Sequence, residues 1–345
     1  MLDRYVEPVD TPEVMARGLK HMVSGLDPYS HYLTADERTR AQKLQHQGAE
    51  AGLVTSLHHG PQGGELEIVA VHPGSPADKL GLAAGDRLVE IRGQSCARLL
   101  SNIEAQLLLG GAAGERIELV VERGAGPERV GLELAKPNVA ALVSSELIEQ
   151  SGHAIGKIAI HGFRSGTGEL VKQALADLRR SAGGRGLAGV ILDLRGNPGG
   201  EVHEAVLVAD LFIQEGVLTR TRGRGGVILR EELATAAGTD VTTPLVVLQD
   251  RRSASAAELL AVALKDNGRA KIIGERSFGK GTVQEVIGIA DGSLLTLTVA
   301  RYFSPSDRLI DGRGVDPDVI LSRPSGESAV SSAARELAGM IADAS

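Results

Sequence analysis

Hydrophobic and polar positions follow three different rhythms along this chain. Residues 1 to about 46 read as helices, with Val14, Met15, Leu19, Met22 and Val23 recurring near helical spacing as an apolar stripe. Thr11 is the expected cap of the first helix, Pro12 suits its first turn, and Glu13 lies near the positive end of its dipole. Gly25-Leu26-Asp27-Pro28 breaks that helix, and Tyr29-Ser30-His31-Tyr32-Leu33 leads into a second helical stretch. From residue 48 to about 136 the period changes to two. Gly52 to Leu57, Leu66 to Val71, Arg87 to Ile91 and Arg116 to Val121 read as strands, with Gly85-Asp86 as a turn and Asn102 to Leu109 as a short helix.

Beyond Lys136-Pro137 the pattern is mixed. Ile158-Ala159-Ile160, Gly189 to Leu194 and Leu245 to Leu248 are short apolar runs of the kind covered on both faces in a parallel sheet. Amphipathic helical stretches fall between them, at Gly168 to Arg180 and Val202 to Phe212. Strands return at Thr282 to Val286 and Leu294 to Tyr302, and Ala329 to Ala344 reads as a closing helix. The expected organisation is therefore an N-terminal helical segment at 1–48, a β-rich module at 49–136, and a mixed α/β core with a C-terminal helix at 137–345.

Composition narrows the function classes. A chain of 345 residues exceeds one ordinary core, so two or three domains are expected. Aromatics make up 2% and Trp is absent, so the cores must be built from Leu, Val, Ile and Ala. The net charge of −7 argues against a nucleic-acid partner, which needs clustered positive charge. No Cys/His spacing fits zinc, and neither a metal nor an organic cofactor is implied. The lone Cys96 reads as a small buried apolar residue rather than a nucleophile. No apolar run reaches the length of a membrane span, and Met1-Leu2-Asp3-Arg4 opens without a signal-peptide core. On that basis the protein is cytoplasmic or the chain has been trimmed.

Candidate chemistry concentrates in two segments. In Ser253-Ala254-Ser255-Ala256-Ala257-Glu258 small residues follow a strand and open a helix, which would expose a hydroxyl beside free N–H groups able to stabilise an oxyanion. A serine there is ordinarily just a cap. Phe278-Gly279-Lys280-Gly281-Thr282-Val283-Gln284 sets one lysine between glycines. A serine nucleophile needs a base. All nine histidines lie at or before His203, and no segment marks a histidine triad. A desolvated, neutral lysine could serve instead, and Gln284 would share its face in an extended chain. Gly274 to Lys280 also imitates a phosphate-binding loop. Gly281 stands where that loop needs Ser or Thr, however, and the following alternation is that of a strand.

Read together, Ser-Ala-Ser-Ala-Ala-Glu, Asp266 to Ala270 and Gly274 to Gln284 resemble the carboxyl-terminal processing peptidases. Gly25-Leu26-Asp27-Pro28-Tyr29-Ser30, Leu192 to Gly200 and Gly312 to Asp318 extend the likeness over nearly the whole chain, in the family's order. The resemblance implies a serine endopeptidase in which Ser255 is the nucleophile, Lys280, 25 positions later, is the general base, and Gln284 holds the lysine. Backbone N–H groups of Gly200 and Ala256 would form the oxyanion hole. Two positions depart from the usual pattern: Ala257 replaces a serine and Gly196 a frequent asparagine. The dyad does not use the position of Ala257.

Within the β-rich module, His72-Pro73-Gly74-Ser75-Pro76-Ala77, Gly81-Leu82 and Gly85-Asp86-Arg87-Leu88 resemble a PDZ domain, with Gly52, Leu53 and Val54 where its carboxylate-binding loop would lie. The implied fold is an α/β peptidase core with an inserted PDZ domain and N-terminal helices. The implied partners are protein or peptide substrates held by their C-termini, with an adaptor protein or self-association compatible. The implied location is the bacterial periplasm or cell envelope. The competing reading is a catalytically silent PDZ scaffold, against which the intact Ser255, Lys280 and Gln284 set stands. A serine-directed activity probe separates the two.

Overall fold

Asp10, not Thr11, caps the first helix. In the computed structural model, which describes residues 5–60, 63–124, 126–235, 240–321 and 326–343, the helix Thr11–Ser24 already includes Thr11, and the extended Asp10 before it accepts the Glu13 N–H at 3.1 Å. The short carboxylate reaches the third helical amide and adds negative charge at the positive end of the dipole. Gly25 ends the helix as expected. Of its apolar stripe only Val23 is buried, while Val14 is 47% and Met22 65% exposed. His31–Leu33 is a short strand rather than a helical lead-in, and the second helix, Ala35–Gln47, starts at a full capping box between Thr34 and Glu37.

The chain divides into two compact units, Met1–Pro137 with Gln284–Val299, and Asn138–Val283 with Ala300–Ser345. In the first, Leu53–Gly60, Gly63–Val71, Arg87–Ile91, Arg116–Arg123 and Gly126–Glu133 pair in that order as an antiparallel sheet. Alternation decides its face: Ile117, Leu119 and Val121 point inward and meet Leu66, Ile68 and Leu88, while the intervening residues stay outside. The helix Asn102–Leu109 covers this core with Ala105, Leu108 and Leu109. Lys20 of the first helix clamps Glu37 at 2.5 Å and Glu104 of this helix at 2.8 Å.

The second unit is built on a six-stranded sheet in the order Val143–Gln150, His153–Ile160, Gly189–Asp193, Leu245–Gln249, Lys271–Gly274 and Val319–Ile320. Its first pair is antiparallel and the others are parallel. Every residue of Gly189–Asp193 and Leu245–Gln249 is buried, because both faces of the sheet are covered. Val190, Leu192, Leu245 and Val247 face the helices Thr167–Ala182, Val202–Asp210 and Ala256–Asp266. Ile191, Val246, Leu248 and Ile273 face the opposite side, under the closing helix Gly326–Asp343. The hairpin Val217–Gly223 and Ile228–Leu233 joins the end of Leu294–Phe303 in a separate antiparallel sheet.

Candidate active site

Three neighbouring parallel strands, Gly189–Asp193, Leu245–Gln249 and Lys271–Gly274, release their loops at the same sheet edge. The carboxyl ends of such strands are where α/β sheets place ligands. The first loop is wound around Asn197, which is fully buried. Its side chain donates to Ile160 O at 2.8 Å and accepts the Gly199 N–H at 2.8 Å, and its carbonyl accepts the Ala254 N–H. Asp193 grips Arg195 through both oxygens, and Asp250 accepts the N–H groups of Gly196, Arg252 and Ser253. Ser253 donates to Leu194 O. These bonds tie the first two loops into one buried polar frame. Gly196 sits at φ +66, a region that Gly and Asn both tolerate, which accounts for the exchange at this position.

Ser255 stands between that frame and the helix Ala256–Asp266, at φ +56 and ψ −118. A non-glycine residue in this region carries strain of about 1–3 kcal/mol, which the surroundings must hold. The group that holds it is Glu258, one turn into the helix and 0% exposed. Its Oε2 accepts the backbone N–H of Ser255 at 2.8 Å and that of Lys280 at 2.8 Å. Its Oε1 accepts the Gly279 N–H at 2.7 Å and the Ser277 hydroxyl at 2.5 Å. Burial pushes this carboxyl above the usual range, and the four donors oppose that shift. Three backbone amides cannot accept, so the donor set is one for an ionised carboxylate.

Lys280 therefore has its main chain pinned to the same buried carboxylate as Ser255. Burial lowers the pKa of its amine, with the charge of Glu258 acting in the opposite direction. The loop of Gly312 to Val315 fastens the segment from its other side: Gly312 N–H donates to Gly279 O, and Val315 N–H to Ser277 Oγ at 2.7 Å. The imitation of a phosphate loop ends here. The Gly279 and Lys280 amides that would cradle an anion are given to Glu258, and the chain continues as the strand Thr282–Gly288.

Gly200 and Ala256 both belong to this unit. Gly199 sits against the serine so closely that a Cβ there would lie 2.7 Å from Ser255 Cβ and 3.0 Å from Ala256 N, and one on Gly200 would collide with Phe163 O. Only the pair of glycines lets this loop reach the serine. Among the described residues neither the Gly200 nor the Ala256 N–H has an acceptor. A hydroxyl, a desolvated amine and two such N–H groups are the parts that acyl transfer requires.

Gln284 belongs to the first unit, where its amide donates to Thr298 Oγ1 at 3.2 Å. Its strand begins at Thr282, two residues after Lys280, so strict alternation does not extend back to the lysine. Gly52, Leu53 and Val54 lead into the strand Leu53–Gly60, and Gly52 O accepts the His72 N–H. Further along the same strand the Leu57 N–H donates to Asn102 Oδ1 at 2.7 Å, which closes that edge beyond the Gly52 end. Cys96 is buried, and burial pushes its thiol up to about 12, which leaves it inert. Sequence reasoning gave no role to Glu258. Its signal was present as Ser-x-x-Glu at a helix start.

The profile of peptidase family S41 matches residues 154–321, and that of the PDZ domain matches residues 67–123. A carboxy-terminal-processing protease of Bartonella bacilliformis is 31% identical over 322 residues, covering 93% of this chain and 72% of that protein. The carboxy-terminal processing protease CtpA of Bacillus subtilis is also 31% identical, over 93% of this chain and 66% of its own length. A solved photosystem II D1 C-terminal processing protease superposes with a TM-score of 0.76 at 31% identity, covering 92% of this chain and 84% of that one. With the PDZ profile matched ahead of the S41 profile and relatives at 31% identity spanning almost all of it, the chain belongs to the carboxy-terminal processing proteases of peptidase family S41 and is a serine peptidase acting on protein substrates.

Proposed function

We propose that Ser255 is the nucleophile and Lys280 the general base of a peptidase that cleaves proteins at or near their C-terminus. The observation that carries this reading is that one buried carboxylate, Glu258, takes the backbone N–H of both residues. A neutral Lys280 amine removes the Ser255 proton as the hydroxyl attacks the scissile carbonyl. The resulting ammonium then gives that proton to the leaving amine, and the acyl-enzyme is hydrolysed with Lys280 again acting as base. Gln284 orients the amine, and the N–H groups of Gly200 and Ala256 receive the oxyanion. Gly200→Ala keeps the N–H but drives a Cβ into Phe163 O, and by displacing the donor it is expected to lower kcat by about 10²–10³-fold, the usual cost of one oxyanion donor. Unchanged turnover in a folded variant would remove Gly200 from this role.

In the same reading the module at 49–136 captures the substrate's C-terminus. A peptide adds along the Leu53–Gly60 edge, and its terminal carboxylate is held by the backbone amides of Gly52, Leu53 and Val54. Because Asn102 closes that edge at Leu57, only a short terminal segment fits. Amidating the C-terminus of a substrate peptide is expected to raise KM at least tenfold, the effect of losing roughly 1.4 kcal/mol of binding, with kcat little changed. Equal KM for the free acid and the amide would refute capture by the module.

A further inference from the structure

We infer that Asp27 and Thr298 set the orientation of the Gln284 amide, which makes Thr298 a positioning residue for the proposed base. The inference rests on the role given to Gln284 above. Asp27 lies in the Gly-Leu-Asp-Pro-Tyr-Ser segment, a motif to which the catalytic reading assigns nothing. In the structure its Oδ1 accepts the N–H groups of Tyr29 at 2.8 Å and Ser30 at 2.9 Å and the Thr298 hydroxyl at 3.1 Å. Its Oδ2 accepts the Ser30 hydroxyl at 2.7 Å, and Ser30 Oγ in turn accepts the Thr298 N–H at 3.0 Å. Burial alone would raise the Asp27 pKa, but the donors from Ser30, Tyr29 and Thr298 outweigh it and hold the carboxyl below its usual value. Asp27 is therefore an acceptor throughout the neutral range.

That fixes the remaining protons by elimination. Thr298 Oγ1 has one hydrogen, and Asp27 takes it. Towards Gln284 the hydroxyl offers only lone pairs, so the group facing it at 3.2 Å must be the amide NH2 and not the oxygen. Gln284 Oε1 is then turned away from Thr298 and kept as an acceptor. An acceptor is what a lysine amine needs if its lone pair is to point at a serine hydroxyl. In the role proposed for Gln284, a reversed amide would offer the amine an NH2 that competes for that lone pair. The relay therefore decides which of two nearly isosteric ends of Gln284 is presented.

The test uses the full chain, with casein turnover and the rate of labelling by a fluorophosphonate probe as readouts. Thr298→Val removes the hydroxyl at nearly constant volume. It is expected to lower kcat and the labelling rate by about 10²-fold, the scale of a misplaced catalytic group, with KM and melting temperature little changed. Thr298→Ser restores the hydroxyl and should recover most of the activity. In a Gln284→Ala background, adding Thr298→Val should cost nothing further, because the effect passes through Gln284. Equal activity of Thr298→Val and wild type, failure of serine to rescue, or additive losses in the double variant would each overturn the relay. If Gln284→Ala alone retains wild-type turnover, the role of Gln284 fails, and the relay fails with it.

Discussion

Ser255→Ala and Lys280→Ala are each expected to lower peptide turnover by about 10⁴–10⁶-fold, the range for removing one member of a nucleophile and base pair. The melting temperature should not fall in either variant. The Ser255 N–H that donates to Glu258 is kept in Ser255→Ala, and Lys280→Ala removes an amine whose burial disfavours its charge. The double variant should be no worse than either single one, because the two side chains act as a unit. The pH profile provides a second check. A general base must be neutral, and burial lowers the Lys280 pKa, so kcat/KM should rise with pH through a midpoint below 10.5, the ordinary lysine value. A midpoint at or above that value would mean that the amine is solvated and does not serve as the base.

Glu258→Gln should also be damaging, for a different reason. The carboxylate accepts four hydrogen bonds and donates none. An amide presents one oxygen and one NH2, so two donors lose their acceptor and face N–H groups instead. At roughly 1–3 kcal/mol for each buried donor left without a partner, the variant should lose about 2–6 kcal/mol of stability, read as a lower melting temperature. The strained Ser255 backbone and the Lys280 main chain would both be released, so turnover should fall by about 10²-fold or more. The residual activity should also move along the pH axis in a definite direction. The Glu258 charge is what raises the Lys280 pKa against burial. Its removal should therefore shift the rising limb to lower pH while the plateau falls. A shift to higher pH, or a stable variant with normal turnover, would show that Glu258 does not organise the site.

Much of this arrangement was legible before any coordinate. The helix Asn102–Leu109 and the strand Arg87–Ile91 begin and end where periodicity places them. The buried strands Gly189–Asp193 and Leu245–Gln249 were marked by unbroken apolar runs. Ser255 and Lys280 were singled out by residue type and neighbours, and the roles proposed for them came from the family resemblance. Other elements left little trace. Val143–Gln150, Gly126–Glu133 and Ile228–Leu233 are largely exposed strands rich in Glu, Arg, Ser and Gly, so their pairing, not their composition, makes them strands. The cap at Asp10 was missed because two acceptable caps stand side by side and only the backbone conformation distinguishes them.

By itself the sequence determined which elements exist and which residues can do chemistry. Burial periodicity and residue type are local properties, written in every few positions. Only the tertiary structure decided that the segments around 197, 255 and 280 share one sheet edge, because strand order is set by pairings between distant residues. It also decided that the polar groups between them are satisfied by Glu258, Asn197 and Asp250. A buried hydrogen bond belongs to two partners at once, and no pattern along a single chain names the second.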